Sequence, residues 1–252
     1  MSDAMTEGDD GLAPLLEGAA ALGLSLDAAQ RAQFILLRDL LLDWNTRVNL
    51  TAITEPAEVV TRHFLDALTC VLALSGERHA RPLRLLDVGS GAGFPGLPLA
   101  IAFPRWRVTL LEATGKKTRF QEAAIAALGL TNVRPLHARA EELAQTPAHR
   151  GRYDVVTARA VAALPTLLEY CAPFARVGGV IIAPKKGELA EELAAGRQAA
   201  ALLGARLLAP IAITTPGLAE DGRALLVARQ QRACPPQYPR PGGAPQKRPL
   251  GG

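Results

Sequence analysis

The sequence predicts an α/β domain with a mostly parallel sheet and helices on both faces, preceded by a helical extension. From residue 82 onward, short apolar runs alternate with helix-like segments, the arrangement that produces βαβ units. Between residues 12 and 75 apolar residues instead recur every three or four positions, as in amphipathic helices. Apolar residues make up 49% of the 252-residue chain, which is enough to bury a sizeable core.

The helical extension is predicted over residues 12–80. One helix has a single apolar face, formed by Phe34, Leu37, Leu40, Leu41 and Trp44. A second helix, with Pro56 in its first turn, has another, formed by Val60, Phe64, Ala67, Leu68 and Val71. Residues 1–11 are mostly polar and acidic, so we expect them to be disordered.

The sheet domain is predicted over residues 81–230. Its strand-like runs are residues 83–89, 107–113, 132–138, 153–159 and 178–185. Two final strand-like segments, 205–214 and 224–230, have no helix between them, which predicts an antiparallel hairpin at the sheet edge. Residues 231–252 are rich in Pro and Gly and lack a core pattern, so they are predicted to form a disordered basic tail.

The net charge of +4 favours a polyanionic partner such as nucleic acid. Part of that charge comes from a C-terminal stretch without any acid, through Arg229, Arg232, Arg240, Lys247 and Arg248. The tail therefore accounts for much of the basicity, and the charge alone does not locate a binding face.

The cysteines and the N-terminus predict a cytoplasmic protein. Cys70, Cys171 and Cys234 are scattered, which excludes a disulfide scaffold and a zinc ribbon and suits a reducing compartment. The acidic start does not resemble a signal peptide, and charges interrupt every apolar run, so no membrane span is predicted. The histidines lack metal-ligand spacing, and no metal site is predicted.

The stretch DVGSGAGFPG, residues 87–96, can be interpreted in two ways. Asp87, Gly89, Gly91 and Gly93 form D-x-G-x-G-x-G, a pattern found in S-adenosylmethionine-dependent methyltransferases. Gly91, Gly93 and Gly96 instead form G-x-G-x-x-G, the dinucleotide fingerprint. Either interpretation requires a strand, a tight glycine turn and the start of a helix.

The neighbours of the loop favour the methyl donor. Pro95 removes an N–H donor where a pyrophosphate would bind. The Asp87 carboxylate suits the cationic amino group of a methionine moiety and is unfavourable near a pyrophosphate. Glu112, about 20 residues after the glycines, is placed to bind ribose hydroxyls in either interpretation. Asp87, Gly89, Gly91 and Glu112 are therefore predicted cofactor contacts.

The flanking residues are more specific than the glycines. The chain resembles the bacterial 16S ribosomal RNA guanine-N7 methyltransferases, the glucose-inhibited division protein B family, over about residues 20–228. The stretches that carry the resemblance are WNTRVNLT (44–51), RHFLDA (62–67), DVGSGAGFPGLPLA (87–100), LLEATGKKTRF (110–120), ARA (158–160) and KKG (185–187).

The resemblance implies a class I S-adenosylmethionine methyltransferase fold, a Rossmann-like mixed sheet that ends in an antiparallel hairpin strand. It implies S-adenosylmethionine as the donor and a guanine of small-subunit ribosomal RNA as the acceptor. The cofactor contacts that it implies are Gly89, Phe94, Glu112, Ala140, Glu141 and Arg159.

Guanine N7 has a lone pair and no proton, so its methylation requires no general base. No catalytic acid or base is therefore predicted, and Arg159, after the fourth strand, is the candidate positioning residue. The protein's task is to align the reactants and exclude water.

Candidate RNA contacts are the basic residues on the same rim. Lys116, Lys117 and Arg119 begin the helix after Glu112, and Lys185 and Lys186 end the fifth strand. These basic residues could bind RNA phosphates, or they could form an ordinary solvent-exposed charged surface. The resemblance adds two candidates from the helical extension, Arg62 and His63, although Arg62 and Asp66 could also pair on the helix surface.

Several functions remain open from the sequence. One is a methyltransferase for another RNA, a protein or a small molecule. Others are an NAD-dependent oxidoreductase and a non-catalytic RNA-binding module. The sequence does not fix the oligomeric state, and a monomer is compatible with it.

Overall fold

The computed structural model describes residues 11–74 and 80–251. Residues 1–10 of the predicted disordered N-terminus lie outside the described residues. No helix among the described residues is long and apolar enough to cross a membrane.

An eight-stranded mixed sheet forms the centre of the described structure, with strand order β3-β2-β1-β4-β5-β8-β6 and with β7 paired to β8. The strands are β1 Arg84–Val88, β2 Arg107–Glu112, β3 Val133–His137, β4 Tyr153–Thr157, β5 Ala175–Lys186, β6 Ala205–Leu207, β7 Ile211–Ala212 and β8 Arg223–Gln230. The first five strands are parallel, and β8 is antiparallel to β5. Each of the five predicted parallel runs and the segment 224–230 corresponds to one strand, with ends shifted by one to a few residues, whereas the predicted segment 205–214 contains two short strands, β6 and β7.

Helices cover both faces of this sheet. The α-helices are α1 Ala13–Ala21, α2 Ala28–Asn45, α3 Pro56–Val59, α4 Asp66–Leu68, α5 Gly96–Ala102, α6 Gly115–Ala127, α7 Ala140–Leu143, α8 Leu164–Cys171, α9 Ala190–Leu202 and α10 Ala244–Lys247. Leu85 and Leu86, adjacent in β1, pack into different apolar clusters on opposite faces. Because side chains alternate along a strand, this adjacency confirms a sheet buried on both sides.

The helices of the extension bury residues of their predicted apolar faces. In α2, Phe34, Leu37 and Leu41 are fully buried, and Asp27 with Gln30 forms a capping box at its start. The second predicted helix is continuous from α3 to α4 but contains a π-helical turn, Val60–Leu65. This turn places His63 and Asp66 toward the sheet, where both are buried, and π turns often occur at functional sites.

The terminal hairpin is present at the sheet edge, as predicted. Its second strand, β8, lies inside the sheet between β5 and β6, so the edge strand is β6. Apart from Arg223 and Arg229 at its two ends, β8 is buried, with Leu225, Leu226 and Val227 at or below 1% exposure. A strand covered on both faces has the continuous apolar pattern that ALLVARQ shows.

The C-terminal segment, defined as residues 231–251, is folded against the domain, which corrects the prediction of a disordered tail. Arg150 donates to the backbone carbonyls of Cys234, Pro235 and Tyr238 at 3.1, 2.8 and 2.9 Å. Arg240 makes a bidentate pair with the fully buried Glu169, at 2.9 and 2.7 Å. The segment is therefore held by hydrogen bonds to its backbone carbonyls and by an ion pair with a buried acid. Neither produces the apolar periodicity from which a folded segment is predicted.

Candidate active site

The loop between β1 and α5 turns sharply at the carboxyl edge of the sheet. Gly89, Gly91 and Gly93 have φ of 65°, 59° and 89°, in the left-handed region that glycine adopts without a Cβ clash. The N–H of Ser90 donates to the carbonyl of Leu111 at 3.0 Å, which fastens the turn to β2. The glycine spacing is therefore required by the backbone conformation.

The buried side chain of Asp87 stabilises this loop through hydrogen bonds. It has no exposed surface, and its two carboxylate oxygens accept the Gly96 N–H at 2.9 Å and the Thr157 hydroxyl at 3.1 Å. Burial raises the pKa of Asp87 to about 7. This placement corrects the prediction that Asp87 faces a ligand, because the carboxylate instead holds the start of α5.

Gly96 does not act as a phosphate-side glycine. Its N–H is already bound to Asp87, and a Cβ at this position would lie 2.2 Å from Leu110 Cδ2. A dinucleotide fingerprint needs open amides at the start of the helix. The glycine at position 96 is explained by close packing of α5 on β2, and the oxidoreductase interpretation loses its support.

Glu112 connects the glycine loop to the start of α6. Its carboxylate accepts the Gly91 N–H and the Thr114 N–H, each at 2.8 Å. The side chain is 6% exposed. Each carboxylate oxygen can accept a further hydrogen bond, so Glu112 can bind hydroxyl groups of a ligand while it holds both loops.

A pocket of about 200 Å³, here called the carboxyl-edge pocket, opens at the carboxyl ends of β1, β2 and β3. Open α/β sheets bind ligands at this edge. Four of the predicted cofactor residues line the pocket: Gly89, Glu112, Ala140 and Glu141. The other four, Asp87, Gly91, Phe94 and Arg159, do not line it.

Four further residues that line the carboxyl-edge pocket were not predicted from the sequence. Val161 and Tyr170 come from the β4–α8 connection and α8, while Gly243 and Gln246 come from the C-terminal segment. The Thr166 hydroxyl donates to the carbonyl of Pro245 at 2.9 Å and holds the segment in place. The signal in the sequence was weak, because Tyr238 and Leu250 are isolated apolar residues among prolines and glycines.

A second polar centre, the Arg159 cluster, lies beside the glycine loop and consists of Arg159, Asp66, His63 and Phe94. Arg159 donates to an Asp66 carboxylate oxygen at 2.8 Å and to His63 Nδ1 at 3.0 Å. His63 stacks on the Phe94 ring, with centroids 4.6 Å apart, and the Arg159 guanidinium lies 5.6 Å from the same ring centroid. The π turn, the glycine loop and the end of β4 meet here.

The backbone after Arg159 is strained. Ala160 has φ of 56°, in a region that costs a non-glycine residue roughly 1–2 kcal/mol. Such strain is typical of functional sites. Here it follows the residue that carries the central guanidinium of the Arg159 cluster.

His63 is a neutral imidazole in this cluster. Nδ1 accepts from Arg159, and Nε2 lies 2.8 Å from the Thr51 hydroxyl, so the proton is on Nε2. Burial, followed by the charge of Arg159, lowers the pKa of His63 to about 3. The side chain therefore orients Arg159 and is not available as a base.

Comparison with known proteins identifies the chain. The family model of rRNA small subunit methyltransferase G, also named GidB, matches residues 30–216. The chain belongs to this family. A ribosomal RNA small subunit methyltransferase G from Dehalococcoides mccartyi is 47% identical over 237 residues, covering 94% of this chain and 98% of the relative. The protein of the same name from Roseiflexus sp. is 48% identical over 236 residues, with the same coverage.

Solved structures agree with the class I methyltransferase fold. A putative sarcosine dimethylglycine methyltransferase from Galdieria sulphuraria has a TM-score of 0.54 and 15% identity, covering 70% of this chain and 87% of its own. An S-adenosylmethionine-dependent methyltransferase from Aquifex aeolicus has a TM-score of 0.50 and 18% identity, covering 70% and 94%. These two structures support the fold alone, and membership of the methyltransferase G family gives S-adenosylmethionine as the cofactor.

The basic candidates of this methyltransferase G family member differ in their surroundings. Lys116 and Arg119 are exposed, Lys117 is half-buried, and none of the three has a salt bridge within residues 11–74 and 80–251. Lys185 pairs with Glu192 at 2.6 Å and donates to the Ala162 carbonyl at 2.9 Å. Its ammonium group thus fixes the loop after Arg159.

The remaining basic candidates, Arg62 and Lys186, each have an acidic partner. Lys186 lies 3.5 Å from Asp221. Arg62 pairs with Glu58 at 3.2 Å, with both side chains over 40% exposed. This corrects the expected pairing of Arg62 with Asp66, whose carboxylate faces the interior. In the described part of the chain, no group of three His, Cys, Asp or Glu residues could hold a metal ion.

The lowered pKa of His63 predicts a pH-dependent stability. Between pH 3 and 6.5 the unfolded chain binds a proton at this residue and the folded chain does not, so the free energy of unfolding falls as the pH drops through this window. From pH 7 to 5.5, the wild-type protein should lose about 1 kcal/mol more than His63→Asn, measured by urea unfolding. The raised pKa of Asp87 acts in the opposite direction but is present in both proteins. Equal losses would show that His63 is protonated in the folded state.

Proposed function

We propose that the protein transfers the methyl group of S-adenosylmethionine to N7 of a guanine in small-subunit ribosomal RNA. The observation that carries this proposal is the position of the carboxyl-edge pocket beside the Arg159 cluster, in a chain of the methyltransferase G family. Donor and acceptor sites must be adjacent for direct transfer.

The lining of the pocket fits the donor. Glu112 retains accepting capacity for the two ribose hydroxyls, and Leu111, Ala138 and Val161 offer an apolar surface for a purine. When bound, S-adenosylmethionine supplies a methyl group activated by the positive sulfur. Glu141 lines the same pocket and can accept from the exocyclic amine of the purine. The glycine loop is held to Glu112 through the Gly91 N–H and would contact the amino-acid half.

The Arg159 cluster fits the acceptor. Guanine N7 and O6 accept hydrogen bonds and are the usual partners of an arginine. The Arg159 side chain is 16% exposed and is fixed by Asp66 and His63, so its remaining N–H groups have a defined direction. Because N7 carries a lone pair, the cluster needs only to position the base, and the neutral His63 is consistent with a reaction without a general base.

The basic residues at the start of α6 fit the RNA backbone. Lys116, Lys117 and Arg119 lie at a helix N-terminus, where positive charges oppose the helix dipole. A phosphate partner would offset this cost. Lys186 adds a partly paired charge at the end of β5, whereas the role of Lys185 is to hold the loop after Arg159.

The test is methyl transfer from labelled S-adenosylmethionine to small ribosomal subunits from a strain that lacks the protein. We expect one labelled guanine, with cleavage chemistry specific for N7-methylguanine. Label in protein, in a small molecule or at an exocyclic amine would contradict the proposal. Donor binding without any transfer would instead favour a binding module.

The C-terminal segment provides a further prediction about donor binding. Gly242 and Gly243 both have a left-handed backbone, and a Cβ at either would meet no atom within 4 Å, but only Gly243 lines the carboxyl-edge pocket. Gly243→Val should weaken donor binding about 10-fold, a loss of about 1.4 kcal/mol, because the side chain enters the pocket. Gly242→Val carries the same backbone strain and is the matched control in calorimetry. Equal affinities of the two variants would show that the segment does not contact the donor.

A further inference from the structure

The opposite edge of the sheet, at the amino ends of the parallel strands, carries a groove of about 470 Å³. Arg84 and Arg107 begin β1 and β2, and Arg134 is the second residue of β3. These three residues line the groove together with Asn132 and Tyr153. The groove is here called the arginine groove. Neither the methyl-transfer site nor its RNA candidates include any of these residues.

The three arginines line one groove, and no acidic residue lines it with them. Arg84 and Arg107 are direct register partners on adjacent strands, a like-charge pairing that destabilises a sheet. None of the three arginines has a salt bridge to any residue within 11–74 and 80–251. The nearby Asp154 is already occupied, because it accepts the backbone N–H of Arg84 at 2.8 Å and pairs with Arg176 at 2.6 Å.

Contacts with neighbouring side chains also hold the arginines of the groove in position. The Arg84 guanidinium lies 5.3 Å from the Tyr153 ring centroid, and Arg134 Nε donates to the Thr109 hydroxyl at 3.2 Å. The outer N–H groups of Arg134 have no hydrogen-bond partner among residues 11–74 and 80–251. His149 lies against Tyr153, with Nδ1 2.6 Å from the phenol oxygen. Burial, then the charges of Arg134 and Arg84, lower the pKa of His149, so the surroundings are positively charged without it.

We propose that the arginine groove binds a backbone phosphate of small-subunit RNA, at the opposite edge of the sheet from the methylated guanine. Planar guanidinium groups match phosphate geometry through paired hydrogen bonds. An anion between Arg84 and Arg107 would remove the repulsion that these adjacent residues otherwise impose. The proposal rests on the proposed function, which supplies the polyanionic partner.

The distance between the two sites makes them independent. Val88 lines the carboxyl-edge pocket and Arg84 lines the groove, so the two ends of β1 are about 13 Å apart. A phosphate in the groove is therefore not the phosphate of the target nucleotide itself. The groove should raise affinity for the RNA and leave the chemical step unchanged.

The experiment compares two triple variants of the full-length protein. The first is Arg84→Gln, Arg107→Gln and Arg134→Gln. The matched control changes the same number of charges in a pocket beside β6, with Arg197→Gln, Arg206→Gln and Arg232→Gln. Binding to 16S ribosomal RNA and to small subunits is measured at several salt concentrations, with donor affinity from calorimetry and kcat and KM for methyl transfer. Stabilisation by inorganic phosphate is followed by thermal unfolding.

We expect the groove variant to bind RNA about 10-fold more weakly, with a salt slope lower by about 1 and a higher KM at unchanged kcat and donor affinity. The control should retain wild-type RNA binding. Equal losses in both variants would overturn the proposal, because the effect would then be one of net charge. Loss of phosphate stabilisation with unchanged RNA affinity would also overturn it and assign the groove to a small anion. Methyl transfer by the wild-type protein tests the proposed function separately.

Discussion

Glu112→Ala is expected to weaken S-adenosylmethionine binding about 100-fold. The carboxylate accepts the N–H groups of Gly91 and Thr114, and the residue lines the carboxyl-edge pocket. Hydrogen bonds to a charged group contribute about 1.5–3 kcal/mol each. The loss of a single such bond to the ribose therefore predicts a roughly 10- to 100-fold effect, and release of the glycine loop adds to it.

Calorimetric titration with S-adenosylhomocysteine measures this effect without turnover. Glu141→Gln is the matched control, since Glu141 lines the same pocket but holds no backbone N–H among the described residues, and we expect it to weaken binding less than 10-fold. Thermal unfolding separates loss of the site from loss of the fold. Wild-type affinity in Glu112→Ala would show that the donor binds elsewhere.

The sheet was predictable because buried parallel strands are apolar along their whole length. The sequence placed β1 to β5 and β8 from runs such as LRLLDVG and ALLVARQ. All of these strands except the edge strand β3 contribute buried residues to the apolar clusters on the two faces of the sheet. The sequence also placed the buried face of α2. Burial imposes a local period on the sequence, and a local period can be recognised without knowing what covers it.

The part of the site that lies next to strand ends was also predictable. Gly89, Glu112, Ala140 and Glu141 line one pocket, because the carboxyl ends of parallel strands lie along one edge. Asp87 was assigned to the wrong side of the loop. Spacing locates the Cα of a residue, but the direction of the carboxylate depends on Thr157, which is 70 positions away.

The remaining features depend on polar partners that are distant in sequence. Asp66 pairs with Arg159 and Arg223, at separations of 93 and 157 residues, and no periodicity reveals such a pair. The C-terminal segment has the composition of a disordered tail, yet Arg150 and Glu169 anchor it through its carbonyls and Arg240. A single buried ion pair can order a segment that has few apolar residues. The amino-acid composition of the segment does not reveal such a pair.

Asp66→Ala is expected to lower the free energy of unfolding by about 3–5 kcal/mol, the cost of removing one partner from a buried ion pair. Asp66 is 1% exposed and accepts from Arg159 at 2.8 Å and from Arg223 at 2.7 Å. Without it, the Arg159 side chain, which is 16% exposed, has no acidic partner among the described residues, whereas Arg223 keeps Asp221 at 2.9 Å. The same residue joins the helical extension to the end of β4 and to β8, so its loss loosens the position of Arg159.

The control for this effect is another ion pair of the same helical segment. Glu58 and Arg62 are 3.2 Å apart and over 40% exposed, so Glu58→Ala should cost less than about 1 kcal/mol. Urea unfolding of both variants measures the difference. Under conditions where Asp66→Ala remains folded, kcat should fall while donor affinity stays near the wild-type value, because Asp66 touches the Arg159 cluster and not the carboxyl-edge pocket. Similar costs for the two variants would mean that the Asp66 carboxylate is hydrated, and unchanged kcat would mean that Arg159 is held without it.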